Sequence, residues 1–355
     1  MLASVFSLCA VSLLQLGSID AGQGSSFLNR QLIFIFLGLA AMVAVSFLDV
    51  RMFKNRPLLL LGLYLLIFLL LVSVLVVGQR IRGSAAWFRF AGISFEPVEL
   101  AKLVIILVLA KYFSGRHVEM FRVRHVLISA GYAGLPIILV LLQPDLGSVM
   151  VLVSIWLGIV ILSGIKIRHL IVVLLAGALI ASLAWAFALK PYQKDRILTF
   201  LNPSKDPLGA SYNVTQAKIA IGSGGWFGKG LGQGTQSQLN FLPEKHSDFI
   251  FAATGEEWGF AGILFVLGAF GVLFYRLIRL STYATNNFSR LFVSGFAVMV
   301  FAQVVIHAGM NLGLMPVTGI PLPFMSAGGS NLLINFLALG IIQNIATQTK
   351  KSTSF

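Results

Sequence analysis

The stretch Phe241-Leu-Pro-Glu-Lys-His-Ser-Asp-Phe-Ile-Phe251, continuing to Gly255-Glu-Glu-Trp-Gly259, gathers ionisable side chains at the mouth of an apolar run. Glu244, Lys245, His246 and Asp248 stand before the run, and Glu256 and Glu257 lie two turns inside it. A carboxylate beside a lysine and a histidine at such a mouth could act as a general base, taking the proton of an attacking hydroxyl. It could equally cap a helix, since Ser247 and Asp248 are both good N-cap types. Residue chemistry alone leaves both readings open.

Charged groups inside apolar runs are expensive and so default to a functional hypothesis. Glu99 and Lys102 are three apart at the start of one such run and share a helix face. They are either a self-neutralising pair or part of a substrate cavity. Asp145, in Gln143-Pro-Asp-Leu-Gly147, fits a plain N-cap and also a site role. Asp49, beside Arg51 at a helix end, reads as structural. Gln303, His307 and Asn311 recur every four residues as one polar stripe, suited first to interhelical hydrogen bonding and second to lining a cavity. The following segment, Pro316 to Asn331, includes Ser326 and is dense in Pro and Gly. At membrane depth that composition means a broken helix, which is tolerated only when buried in protein or lining a cavity.

Other chemistries are excluded by spacing. Gly228-Lys229 is no phosphate-binding P-loop, because Ser223 stands where the first glycine belongs and Gly230 where a metal-ligating Ser or Thr is needed. The five histidines show no pair at metal-ligand spacing, and no nucleophile elbow occurs. Cys9 is the only cysteine, so no intrachain disulfide and no cysteine-built metal site can form.

The elements that position these residues are apolar. The 355-residue chain is 57% hydrophobic and 11% charged, against roughly 25% charged for a soluble protein. This excludes a soluble or disordered chain and predicts an all-α polytopic membrane protein. Runs of spanning length fall at about 2–16, 31–50, 57–78, 98–113, 126–143, 146–163, 170–189, 249–275, 291–312 and 323–345, giving ten transmembrane helices in a single domain over 1–355. The first is read as a spanning helix and not as a signal peptide, since no basic residue precedes Arg30.

Orientation follows from the short basic loops. Arg51, Lys54 and Arg56; Arg116, Arg122 and Arg124; Lys166 and Arg168; Arg276, Arg279 and Arg290; and Lys350 and Lys351 all fall on one side, which puts both termini in the cytoplasm. The other side carries positive charge it should lack: Arg80, Arg82 and Arg89 after the third run, and Lys190, Lys194, Arg196, Lys205, Lys218, Lys229 and Lys245 in the large extracytoplasmic loop, 190–248, between helices 7 and 8. Long loops translocate regardless of charge, which covers the second group only. The net charge of +14 lies in short clusters and reads as topology with membrane-lipid contact, not as a nucleic-acid stripe; an anionic ligand outside would account for the rest. Trp226, Phe227, Phe241 and Phe249 are expected to pack the large loop onto the bundle.

Taken together, Phe95-Glu-Pro-Val-Glu-Leu-Ala-Lys102, Gln143-Pro-Asp-Leu-Gly147, Ala220-Ile-Gly-Ser-Gly-Gly225, Gly228-Lys-Gly-Leu-Gly232, Gly234-Thr-Gln-Ser-Gln238, the block 241–257 and the segment 321–330 resemble the SEDS family (shape, elongation, division and sporulation) of the RodA/FtsW type, over about residues 30–345. The wording of Gly234–Gln238 and Phe241–Glu244 is more similar to the elongation branch than to the division branch. The resemblance implies a peptidoglycan glycosyltransferase of the bacterial cytoplasmic (inner) membrane. It would polymerise lipid II on the outer face, for cell elongation and rod shape, beside a class B penicillin-binding protein as partner transpeptidase and other elongation-complex membrane proteins. It implies that Asp248 is the essential acid, Glu99 and Lys102 the cavity pair, Asp145 the Pro-Asp-Leu-Gly aspartate, Trp87 the outer-loop tryptophan and Arg196 the basic residue opening the large loop. Ser247, Val98 and Ala86 depart from the family's usual Thr, Ser and basic residue.

The chemistry this implies suits the residues. An acceptor hydroxyl attacks an anomeric carbon whose leaving group is undecaprenyl diphosphate, and a carboxylate that takes the proton contributes about 10²–10⁴-fold. Asp248 is the candidate base, with Lys245 beside it as a substrate contact and Glu256, Glu257, His307 and Ser326 in support. The departing diphosphate needs cations, from Arg196, Lys102 and the outer arginines or from a divalent Mg or Mn ion; no resident metal site is expected. A lipid II flippase, the division paralogue and a non-enzymatic scaffold are the alternatives.

Overall fold

The computed structural model describes every residue except 24–25, 82–83, 91–92, 116–122, 190, 203–209 and 354–355. Arg82, Arg116, Arg122, Lys190 and Lys205 lie outside the described residues. Each of the ten apolar runs is a helix: α1 (Leu2–Gln23), α2 (Phe27–Ser46), α4 (Pro57–Val77), α5 (Pro97–Ser114), α6 (Val123–Leu142), α7 (Leu146–Leu162), α8 (Ile167–Leu183), α12 (Ile250–Tyr283), α13 (Asn287–Leu312) and α14 (Gly329–Thr353). Short helices complete the set: α3 (Arg51–Asn55), α9 (Pro191–Leu201), α10 (Ala210–Ser223) and α11 (Thr235–Gln238). Eight of the ten are long and apolar enough to cross a membrane; α5 carries Glu99, Lys102 and Lys111, and α7 is one residue short of the 18-residue length. The window over Ile167–Phe187 has hydropathy 2.6 and no buried residue. Such a helix is stable only in lipid, which makes the chain a multi-pass membrane protein.

The first apolar run, read as a spanning helix, extends into its flank to 22 residues, because Gln15, Ser18 and Asp20 are absorbed by internal hydrogen bonds. Two features differ from expectation. The segment after α4 is a three-stranded antiparallel meander, β1 (Gln79–Ile81), β2 (Ser84–Phe90) and β3 (Ile93–Phe95), with Gln79 opposite Trp87 and Phe88 opposite Phe95. Its aromatic and β-branched residues suit a pleated surface. Finally, Trp226, Phe227 and Phe241 are 72%, 86% and 45% exposed, and only Phe249 is buried. Of the four aromatics expected to pack the large loop, Phe249 enters a core with Ala217 and Ala220 of α10 and Leu242, Ala252 and Ala253, and Trp226 meets Phe260 of α12 edge-on at 5.2 Å.

The chain divides into two compact units. The first comprises Met1–Ala41, Asp195–Arg276 and Val300–Phe336, and the second Met42–Lys194, Leu277–Met299 and Leu337–Phe355.

Candidate active site

In the first unit, α12 is interrupted at Gly259, whose φ of 67° and ψ of −164° only glycine adopts readily. A break strands backbone groups, and the glycine-rich loop satisfies them. Lys229 N and Gly230 N donate to the carbonyls of Glu256 and Glu257 at 3.0 Å each, while Phe260 N and Ala261 N donate to the carbonyls of Gly225 and Trp226 at 2.8 and 3.0 Å. Backbones this close exclude side chains: a Cβ on Gly228, itself at φ +81°, would strike the Glu257 carbonyl. Close backbone approach, with the edge-on Trp226–Phe260 ring contact beside it, seats the loop.

The carboxylates at the break complete that seam. Glu256, fully buried, accepts from Gln236 N (2.8 Å), Ser237 N (2.9 Å), Thr235 Oγ1 (3.3 Å) and Lys229 Nζ (3.0 Å). The lysine that mimicked a P-loop is thus the ion-pair partner of Glu256. Glu257 accepts from Ser18 Oγ (2.7 Å) and Gln15 Nε2 (3.1 Å) of α1 and from Gln238 Nε2 (3.3 Å). Lys245 points inward as well, donating to the Ser237 carbonyl and to Asn240 Oδ1. Burial holds its ammonium below the ordinary lysine value, with Glu257 and Glu256 acting in the opposite direction.

Asp248 is half-buried at the mouth of α12, and its neighbours are fixed from several sides. Its N–H donates to the Glu244 carbonyl at 3.0 Å, and its own carbonyl accepts from Asn311 Nδ2 of α13 at 3.0 Å. The same amide accepts from Ala252 N at 3.1 Å. Ser326 Oγ donates to the Ser247 carbonyl at 2.7 Å, Ala327 N donates to the His246 carbonyl at 2.9 Å, and the His246 ring stacks on Phe27 at 3.8 Å. The carboxylate faces the irregular segment after α13: a Cβ at Gly319, where φ is +74°, would stand 3.7 Å from Oδ2. His307 supports that segment by donating from Nδ1 to the Ile320 carbonyl at 2.8 Å. Of the polar stripe, Asn311 and His307 make the expected cross-element bonds. The buried Gln303 amide and His307 Nε2 have no partner among the described residues. Arg196 lines a separate small cavity of the same unit.

In the second unit, Lys102 Nζ and Glu99 Oε1 are 2.8 Å apart with side chains 0% and 3% exposed, so the spacing argument for a shared face holds. Asp145 caps α7 by accepting from Ser148 N at 3.0 Å and adds negative charge near Lys102. Glu96, which sequence reasoning passed over, also adds negative charge near Lys102; the signal was its place three residues before Glu99 with Pro97 opening the helix. Asp49, read as structural, accepts from Arg51 N at 2.9 Å. Trp87 is half-buried in β2.

Apolar helices that expose themselves to lipid, with buried charge gathered at helix breaks and helix mouths, define a polytopic membrane protein. The chain belongs to the cell cycle protein family of FtsW, RodA and SpoVE, whose model matches residues 1–351. It is 36% identical over 331 residues to the peptidoglycan glycosyltransferase MrdB of Escherichia coli K12, covering 93% of this chain and 88% of that protein. It is also 35% identical over 327 residues to the stage V sporulation protein E of Bacillus subtilis, covering 91% and 88%. Among solved structures, a chain of a peptidoglycan synthase complex that coordinates polymerization and crosslinking is 36% identical, with TM-score 0.85 over 98% of this chain and 97% of that one. The crystal structure of Thermus thermophilus rod shape determining protein RodA is 34% identical, with TM-score 0.73 over 98% and 95%.

Proposed function

We propose that the protein is a peptidoglycan glycosyltransferase that polymerises lipid II at the outer face of the bacterial cytoplasmic membrane, with Asp248 as general base. Ten helices cross the membrane and both termini are cytoplasmic, as the basic short loops require. A hydroxyl of one lipid-linked saccharide attacks the anomeric carbon of another. Its proton passes to the Asp248 carboxylate as the new C–O bond forms, and the bond to the diphosphate breaks with its electron pair leaving on oxygen. A single displacement of this kind inverts the anomeric centre, by analogy with inverting glycoside hydrolysis. The observation that carries the reading is the fixing of Asp248 at the mouth of α12 through its own peptide groups, opposite the glycine of an irregular segment.

Lys245, Glu256, Glu257, His307 and Ser326 act by holding this loop, since their hydrogen bonds run to the chain itself. Arg196 binds the diphosphate. Trp87, Glu99, Lys102 and Asp145 serve substrate binding, each from its own surroundings in the second unit. A Mg or Mn ion would arrive with the substrate, held mainly by diphosphate oxygens and water. The partner is a class B penicillin-binding protein, by likeness to the chain from a synthase complex. We assign the elongation branch on the wording of Gly234–Gln238 and Phe241–Glu244; overall identity does not discriminate, because an FtsW of Nitrosococcus halophilus is also 36% identical.

The test is polymerisation of lipid II by the full chain, co-purified with a transpeptidase whose crosslinking site is blocked. Wild type gives a glycan ladder, and folded, partner-bound Asp248→Asn gives none. A ladder from both removes Asp248 from the mechanism. No ladder from either, with lipid II still crossing vesicle membranes, replaces the polymerase by a flippase.

A further inference from the structure

The cavity beside Arg196 sits apart from the seams described above. It measures about 50 Å³ and is lined by Arg196 and Thr199 of α9, by Ser211, Thr215 and Lys218 of α10, and by the backbone segment starting at Gly313. A water needs about 10–15 Å³ on this measure, so the space suits one phosphate group. Two cations and three hydroxyls line it beside the apolar Phe200, Val214, Met315, Pro316 and Val317, and none of its described lining residues is acidic. That is the donor set of an anion site, since guanidinium and ammonium groups match phosphate oxygens with charge-assisted hydrogen bonds.

The position of Lys218 has a structural cause. Its side chain lies across Gly313, where φ is +69° and a Cβ would collide with the lysine Cε. Gly313 thus permits both the turn out of α13 and the passage of the lysine. The cavity also shares its framework with Asp248. Ala217 and Ala220, which flank Lys218 on α10, pack in one core with Phe249 and Ala252, next to Asp248, and with Val317 of the segment that leads to Gly319.

We propose that this cavity is a binding site for a lipid-borne phosphate, and that Lys218, with Arg196 and the Ser211 and Thr215 hydroxyls, holds one phosphate of the diphosphate leaving group. This rests on the polymerase reading for the identity of the lipid. Lys218 is not a catalytic residue by its own chemistry; it binds the group that departs.

The test uses the full chain in phosphatidylcholine nanodiscs, with undecaprenyl diphosphate as the probe and native mass spectrometry as the readout of retention. Lys218 is exposed, so its variants keep the fold. Lys218→Met should weaken retention about tenfold to a hundredfold, the worth of one charge-assisted hydrogen bond. Lys218→Arg should stay within about threefold of wild type, because charge and reach are kept. Equal retention by wild type and Lys218→Met overturns the site. So does displacement of the probe by an equal mole fraction of phosphatidylglycerol, which would make the cavity a general headgroup site. Retention is read without turnover. A wild type that binds the probe through Lys218 but makes no ladder refutes the polymerase and keeps the site, and a normal ladder with retention unchanged in Lys218→Met refutes the site alone.

Discussion

Replacing Asn311 by Ala separates positioning of Asp248 from simple stability. The Asn311 amide bonds both the Asp248 carbonyl and Ala252 N–H, two groups at the spacing of a first helical turn. Left buried and unpaired, each would cost about 1–3 kcal/mol. In the variant they can close on each other as an ordinary helical bond, which recovers most of that loss. The expected destabilisation is therefore about 1–2 kcal/mol. The closure winds the Asp248 peptide into the helix, however, and carries its carboxylate away from Gly319. Displacement of a catalytic group by about 1 Å lowers the rate on the order of a hundredfold. The assay is lipid II polymerisation by the partner-bound full chain, resolved into kcat and KM, beside thermal unfolding in the same detergent. Asn311→Ala should lose kcat with little change in KM and a small fall in melting temperature. Asp248→Asn should lose kcat while keeping the Asn311 bond to its carbonyl. A variant of Asn311 that melts lower yet keeps the wild-type kcat refutes positioning and leaves a purely structural amide.

Two further outcomes follow from buried charge. Lys102→Met strands Glu99, with Glu96 and Asp145 nearby, and should cost about 3–5 kcal/mol as a broken buried pair; the double variant Lys102→Met, Glu99→Gln should recover most of the unfolding midpoint, and a double variant as unstable as the single one would show that the pair is not the cause. For Lys245, burial lowers the folded-state value below the ordinary 10.5. Between those values the unfolded chain holds a proton that the folded chain does not, so stability rises with pH across that window. The melting temperature of wild type should therefore climb relative to Lys245→Met as pH approaches 10.5, and a constant gap would contradict the buried ammonium.

The helices were legible because apolar length is a property of one segment at a time, and each run from 2–16 to 323–345 is a helix. The same local logic found the Asp145 cap, from the Asp-Leu-Gly-Ser order, and the Glu99–Lys102 pair, from a spacing of three. It failed at β1–β3, where Trp87, Phe88 and Phe90 read as a loop between spans although their types favour a pleated surface. It was right in part about the large loop: Phe249 enters a core and Trp226 packs edge-on against Phe260 of α12, while Phe227 stays exposed.

What no local rule could supply is the pairing of Gly228 and Gly234 with Gly259 and Glu256, across more than twenty residues. Adjacent carboxylates two turns inside an apolar helix look like chemistry, because charge there is costly. Their partners decide otherwise. Glu256 takes two peptide N–H groups, a hydroxyl and a lysine, and Glu257 takes donors from α1 and from Gln238. A carboxylate so occupied cannot accept a proton from substrate without breaking the seam it closes. Asp248 is held through its N–H and carbonyl as well, which fixes where its side chain starts, opposite Gly319. The seam at Gly259 holds Glu256 and Glu257 inside α12, while the Asn311 bond holds Asp248 two residues before that helix begins.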